Sequence, residues 1–181
     1  MLDLENVTGS ELEPTPSSFA TRVIIRPIRP GDAANLGAFY RALSPGSRHR
    51  RFLAVINELP LALLARFARP DGRNEAALIA ITRNGRIEAV VGDARFVLGE
   101  GCAEFALAVS DHAQGRGLGE RLLRGLIQRA RENGIACVYG DVLPENAAML
   151  GLARKFNFVE RRSPSDPRLL RVHKLLNAWP G

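Results

Sequence analysis

The fold of this chain is constrained most by a change of rhythm between residues 102 and 134. Cys102 to Val109 alternates like a strand and Gln114-Gly115-Arg116-Gly117-Leu118-Gly119 follows. Leu118, Leu122, Leu123, Leu126, Ile127 and Ala130 then trace one apolar stripe at helical spacing as far as Asn133-Gly134. A glycine-rich turn between a strand and a long amphipathic helix is a setting for phosphate. Glycine lets the backbone approach an anion, and the unpaired N–H groups of the first helical turn point at it with the positive end of the helix behind them. A dinucleotide site wants that turn early in a parallel βαβ unit, whereas here three strand-like runs precede it, so a nicotinamide cofactor is not expected.

Those runs, Glu75 to Thr82, Ile87 to Leu98 and Cys102 to Val109, are joined by Arg83-Asn84-Gly85-Arg86 and Gly99-Glu100-Gly101 and read as an antiparallel meander. Upstream, Val23 to Arg29 is β-branched and carries Pro27, which fits a strand near a sheet edge. Asp32 reads as a helix cap, Ala33 to about Leu43 as a helix, Ser44-Pro45 as the cap of a second, and Leu59 to Arg69 continues in helical rhythm. Downstream, Ala136 to Val142 is a buried strand, Pro144-Glu145-Asn146 opens a helix running to about Phe156, and Phe158 to Arg162 with Leu169 to Lys174 closes as a strand pair. The expected fold is α/β of the α+β kind, a mixed, mostly antiparallel sheet of six to seven strands flanked by about four helices. Residues 1–20, polar and proline-bearing, are expected as a flexible leader, and 21–181 as one domain.

The net charge of +6 invites an anionic partner, but with 6% aromatic residues and no aromatic-basic alternation there is no base-stacking platform, and nucleic acid is not expected. The longest apolar stretches fall short of the roughly 20 residues of a membrane span. Met1 to Glu5 lacks the flank and apolar run of a secretory signal, so no membrane partner is expected and the cytoplasm is the expected location. Cys102 and Cys137 sit in apolar runs without metal-ligand spacing; they are expected as small buried hydrophobes in a reducing compartment, with neither a disulfide nor a metal.

Gln114 to Gly119 resembles the cofactor loop of the GNAT superfamily of N-acetyltransferases, Gln/Arg-x-x-Gly-x-Gly/Ala, and Asn146 to Phe158 resembles its second cofactor-contacting helix; the likeness runs from about Arg22 to about Leu175. It implies acetyl-coenzyme A as donor and coenzyme A as product. It also implies that Gln114, Gly115, Arg116, Gly117, Leu118 and Gly119 form the loop, with the N–H groups from Arg116 to Gly119 on the pyrophosphate. Leu107, Ala108 and Val109 would pair through their main chain with the pantetheine arm, and Asn146 would contact the cofactor. A closer likeness, carried by Leu43 to Phe52, Ala103-Glu104-Phe105-Ala106 and Gly140 to Asn146, is to bacterial protein-lysine acetyltransferases of the Pat type. That likeness implies a protein substrate with an acceptor lysine, and an acyl-coenzyme A synthetase-like enzyme among the partners.

A free lysine titrates at about 10.4, so presenting it neutral at pH 7 costs roughly 4 to 5 kcal/mol, and a carboxylate must take the proton. Glu104 is the expected general base. By alternation it shares a strand face with Ala106 and Ala108, opposite Phe105, Leu107 and Val109, and apolar surroundings are expected to raise its pKa toward the working pH. The resemblance implies the same residue. It also aligns Ala153 with a tyrosine that in the superfamily often protonates the leaving thiolate, and Asn157 with the glycine usual before Phe158. Arg116, Arg121 and Arg154 are either phosphate cations or solvated helix-face arginines, and Arg48-His49-Arg50-Arg51 either meets an acidic protein surface or is a solvated face. Acetyl transfer to the ε-amine of protein lysines, with Glu104 as general base, is the expected function; acetyl transfer to a small amine and a non-catalytic acyl-coenzyme A sensor are the alternatives.

Overall fold

The computed structural model describes residues 23–84 and 87–176, so the expected leader, the domain start at Thr21 and the Gly85-Arg86 tip of the first hairpin lie outside the described residues. Seven strands, β1 (Val23–Pro27), β2 (Glu75–Asn84), β3 (Ile87–Leu98), β4 (Ala103–Val109), β5 (Cys137–Val142), β6 (Val159–Arg162) and β7 (Leu170–Leu175), form one sheet in the order β1-β2-β3-β4-β5-β7-β6. Five α-helices are present among the described residues: α1 (Ala33–Ala42), α2 (Pro45–Phe52), α3 (Leu61–Phe67), α4 (Leu118–Glu132) and α5 (Ala147–Lys155). The architecture is the expected mixed one, and β1 is the expected edge strand, antiparallel to β2.

Each face of the sheet carries its own core, because strand side chains alternate. Phe105 and Val109 of β4 join the cluster under α4 and α5, whereas Ala108 joins the cluster formed with Leu36, Phe39 and Tyr40 of α1 and Leu64 of α3. All six residues of the apolar stripe on α4 are buried, at about 1.5 to 3 kcal/mol for each leucine or isoleucine taken out of water. The helix lies close on the sheet at Gly92, where an added Cβ would come within 2.7 Å of the Leu122 side chain. Asp32 does not cap α1 through its side chain. It ends a 3-10 turn, Pro30–Asp32, and its carboxylate takes the Arg29 N–H at 2.7 Å and both Arg26 Nη groups at 2.7 and 2.8 Å.

The decisive irregularity lies between β4 and β5, the sheet's parallel pair. Their registered partners are Ala103 with Val138 and Glu104 with Tyr139. Beyond them β4 stays paired with β3 as far as Val109 and β5 with β7 as far as Val142. The two strands therefore part company, and the edges they turn toward one another have no partner strand. The closed end of this gap is stapled: Cys102 and Cys137 form a disulfide with their Cα atoms 4.8 Å apart. This corrects the expectation of two separate buried thiols. The parallel pairing brings residues 35 positions apart side by side, a juxtaposition that no local pattern displays.

Candidate active site

The open end of the gap leads into a cleft of about 590 Å³ whose walls come from both faces of the sheet. Leu107, Ala108 and Val109 line one side, Gln114 to Gly119 except Arg116 form the rim, and the first turns of α4 and α5 close it. The Ser110 N–H donates to the Val91 carbonyl of β3 at 2.9 Å. Backbone groups alternate in direction along a strand, so Ala108 also faces β3, and the N–H and C=O of Leu107 and Val109 face the gap. Of the three residues expected to pair with the pantetheine arm, Leu107 and Val109 turn main-chain groups to the gap, and Ala108 turns its own to β3. The Val109 carbonyl is already taken by the Gln114 amide at 3.0 Å, which also reaches Ser47 Oγ at 3.3 Å.

The glycine turn has the geometry its sequence called for. Gly115 and Gly117 have φ of 71° and 75°, the left-handed region that a side chain resists, and a Cβ added at either would meet nothing within 4 Å. Both are thus bare backbone at the cleft rim. Gly117 is the N-cap of α4 and has no side chain to bond the first-turn N–H groups, which an α-helix itself leaves without acceptors. Gly119 packs instead, with an added Cβ 3.6 Å from Leu152 and 3.8 Å from Leu107. Asn146 lines the cleft while its side chain caps α5, accepting the Met149 N–H at 3.2 Å. Asn157 takes φ of 57°, as the substitution for glycine required. An extended arm between β4 and β5 with a diphosphate at the bare turn fits these features, so the residues present suit acetyl-coenzyme A.

Of the arginines left open as phosphate cations or solvated residues, two have partners elsewhere. Arg121 donates to the Val23 carbonyl at 3.2 Å, Arg154 pairs with Glu160 at 2.8 Å, and Arg116 is exposed between the two glycines. The cations on the cleft wall are Arg50, Arg51 and Lys155, and Lys155 is paired with Glu120, which Arg124 also holds at 2.9 Å. Ser47, Arg50 and Arg51 enter because α2 is fastened beside the turn. Asp111 accepts the Ser44 N–H and Oγ, each at 2.9 Å, and Ser47 Oγ at 2.6 Å. The Leu43 to Phe52 segment was recognisable as a likeness, but nothing local showed which of its arginines would turn inward.

Glu104 stands at the apex of the gap, at the last registered pair, but it is exposed, so the apolar enclosure expected around it is absent. Its face of β5 and β7 carries polar residues rather than helices: the Tyr139 hydroxyl lies 3.4 Å from Glu104 Oε2, and Arg171 stacks on the Tyr139 ring at 4.2 Å while holding Asp141 at 2.7 and 2.9 Å. Burial, and then the charge of Glu104, push the Tyr139 phenol up, keeping it protonated at neutral pH. Asp141 is thus occupied by Arg171, and His112 is exposed in the turn before the glycines. Ala153 is fully buried in the core, so α5 presents no acid there.

A buried ionic cluster lies under α2. Asp93 is 0% exposed and receives the Tyr40 hydroxyl at 2.6 Å and Arg95 at 2.7 and 3.1 Å, with Arg51 Nη2 at 3.5 Å. Burial pushes the Asp93 carboxyl up, but the charge and hydrogen bonds of Arg95, then Arg51 and Tyr40, prevail and leave it below the usual carboxylate range.

Known proteins agree with this geometry. The sequence matches the Acetyltransferase (GNAT) family over residues 46–158. It is 36% identical over 155 residues to the acetyltransferase PA5475 of Pseudomonas aeruginosa, an alignment covering 84% of this chain and 83% of that one. It is also 36% identical over 111 residues, 58% of this chain and 64% of the other, to an L-methionine sulfoximine/L-methionine sulfone acetyltransferase of Pseudomonas paraeruginosa. Among solved structures, the GNAT domain of S. lividans PAT superposes with a TM-score of 0.76 at 30% identity, covering 83% of this chain and 89% of that domain. A family match across more than half the chain, with a relative aligned along most of both sequences, makes this protein a member of the GNAT acetyltransferases, whose donor is acetyl-coenzyme A.

Proposed function

We propose that this acetyltransferase acylates the amine of a small acceptor by direct attack, with Glu104 as general base. The observation that carries the proposal is the gap between β4 and β5, which opens beyond the Glu104–Tyr139 pair, enters the cleft wall at Leu107 and ends at the bare glycine turn. When bound, acetyl-coenzyme A supplies an activated acyl thioester. The chain's part is to hold and align it: the N–H groups of Gly117, Leu118 and Gly119, with Gln114, Gly115 and Arg116 shaping the turn, take the pyrophosphate. The gap-facing backbone of Leu107 and Val109 takes the pantetheine arm, Ala108 and Asn146 line the path, and each contact to anionic phosphate gains from the helix start. Glu104, in reach of the apex, removes the ammonium proton directly or through one water, and the Tyr139 hydroxyl steadies the carboxylate.

A small acceptor is supported by the relative named for methionine derivatives and by the inward-turned cations of α2. The second reading, a protein lysine acceptor with an acyl-coenzyme A synthetase-like enzyme as one target, is favoured by the superposition on the S. lividans PAT domain. Labelled acetyl-coenzyme A offered to a small-amine panel and to a cell lysate separates the two: label entering protein alone overturns the first. Glu104→Gln is expected to lower kcat at pH 7 by about 100-fold or more with acetyl-coenzyme A affinity retained; near-normal turnover removes Glu104 from the mechanism. Among the described residues no helix is long and apolar enough to cross a membrane. The cytoplasm is proposed separately as the location. There the 102–137 disulfide would face a reducing pool.

A further inference from the structure

The cluster under α2 carries an unbalanced charge. Asp93 is its carboxylate, while Arg95 and Arg51 are both cations and both pair with it. Tyr40, whose hydroxyl burial pushes up, stays neutral. One negative and two positive groups leave the cluster one charge positive in a place where charges are costly without partners. Arg95 has further support, donating to the Phe67 carbonyl at 3.3 Å and lying on the Phe67 ring at 4.0 Å. Arg51 also lies on a ring, 4.8 Å from the centre of Phe52, but it has the weaker hydrogen bonds: its side chain is 7% exposed, its Nη2 shares Asp93 and Tyr40 at 3.5 and 3.4 Å, and its Nε is buried without a hydrogen-bond partner. It is also a wall residue of the cleft. The cleft's own carboxylates do not neutralise it, since Glu120 is held by Lys155 and Arg124 and Glu145 is exposed beside α5.

The sheet register says which substrate that cation serves. Asp93 is directly opposite Ala108, and residues opposite one another in a pair share a face. Arg51 therefore gathers on the face of Ala108 and Glu104, whereas the glycine turn leads into α4 on the other face. We propose that Arg51 is the acceptor-anion site of the enzyme, receiving the carboxylate of an amine-bearing carboxylic acid while its amine lies toward Glu104. This rests on the small-acceptor reading above and narrows it to amino acids. A carboxylate meeting the cleft side of the guanidinium would balance the cluster, and a turn of the side chain would let it bridge to the buried Nε as well. Ala108 and Glu104 are four residues apart on β4, about 13 Å at about 3.3 Å per residue, so acceptors with the amine on the α-carbon and on longer chains both belong in the trial.

The test uses the full chain with acetyl-coenzyme A and three sets of acceptors: L-amino acids and ω-amino acids of increasing length, their carboxamides, and the monoamines lacking the carboxyl group. The wild type is expected to favour the free carboxylate over the matching carboxamide by about 10- to 100-fold in kcat/KM, and Arg51→Met to bring that ratio close to one. Thermal-shift titration with the amino acid alone should show protection in the wild type that R51M loses, and calorimetry should leave the acetyl-coenzyme A Kd of R51M within about threefold of wild type. A wild type that does not discriminate carboxylate from carboxamide overturns the proposal, as does acetylation confined to an internal-lysine peptide. A large loss of acetyl-coenzyme A affinity in R51M also overturns it, by assigning the arginine to a donor phosphate. Should R51M fail to fold, the wild-type ratio and titration decide alone. No transfer to any amine would instead sink the function proposed above, an outcome distinct from transfer without carboxylate preference.

Discussion

Reducing the Cys102–Cys137 bond should cost this protein about 4 kcal/mol. The bond closes a loop of sequence separation 35, and the chain-entropy estimate for a loop of that length gives about 13 cal/mol/K, or about 4 kcal/mol at 25 °C. For a domain of this size about 2 to 4 °C of Tm follow each kcal/mol, which corresponds to about 8 to 16 °C. Urea denaturation of the oxidised protein and of the protein held in a phosphine reductant would measure the difference at constant composition, with the Cys102→Ser/Cys137→Ser double variant as a second route to it. Alkylation and intact-mass analysis of protein quenched directly from cells would report the bond's state there. The effect should fall on the site as well, because the bond pins the closed end of the gap two residues from Glu104 and from Tyr139; kcat is expected to fall on reduction even well below the melting range. The reasoning is refuted if the reduced protein loses less than about 1 kcal/mol, or if the two cysteines are found as free thiols in protein purified without reductant.

Gly117→Ala should raise the acetyl-coenzyme A Kd at least about tenfold by calorimetry, because the new methyl group stands at the cleft rim and the left-handed φ of 75° costs about 1 to 2 kcal/mol. Gly72→Ala carries the same backbone penalty at φ 79° away from the cleft and should leave that Kd unchanged; equal loss in both would show that strain alone is at work. Acid should destabilise the fold in a defined window. Asp32 is held down by its hydrogen bonds to Arg26, and at Asp93 and Asp141 burial pushes up but Arg95 and Arg171 prevail. Carboxyls depressed in the folded state bind fewer protons there than in the unfolded chain. Their contribution is therefore complete above the unfolded value of about 3.9 and disappears as the pH falls through the lower folded values. Urea midpoints that are flat from pH 7 to 5 and drop below pH 4 would agree; a decline already under way between pH 7 and 5 would not.

Much of this fold is legible in the chain because it is written in local periods. Apolar runs broken by turn residues from Glu75 to Val109, and the 3.6-residue stripe on α4, mark strand and helix within a few residues, and the glycine turn announces its own backbone. What was illegible depended on which distant residues came to lie together. The disulfide needs the parallel register of β4 and β5, and the apolar neighbours of Glu104 in sequence suggest an enclosure that its neighbours across the sheet, the polar Tyr139 and Arg171, do not provide. Arginine offers the same lesson twice. Arg121 and Arg154 look like phosphate ligands on the helices nearest the turn but find carbonyl and carboxylate partners of their own, while Arg51, in a run of bases that resembles a wet surface, is turned inward by Asp93 and Tyr40.

Where β4 leaves β5, the atoms turned to the guest are peptide atoms, common to every residue but proline. Mutation can therefore rewrite the side chains at Leu107 and Val109 without erasing the groups offered to the gap, and can alter the arginines of α2 so long as Ser44 and Ser47 keep their hold on Asp111 and Gln114. A lineage built on such a scaffold is free to change what it acetylates while keeping what it acetylates with.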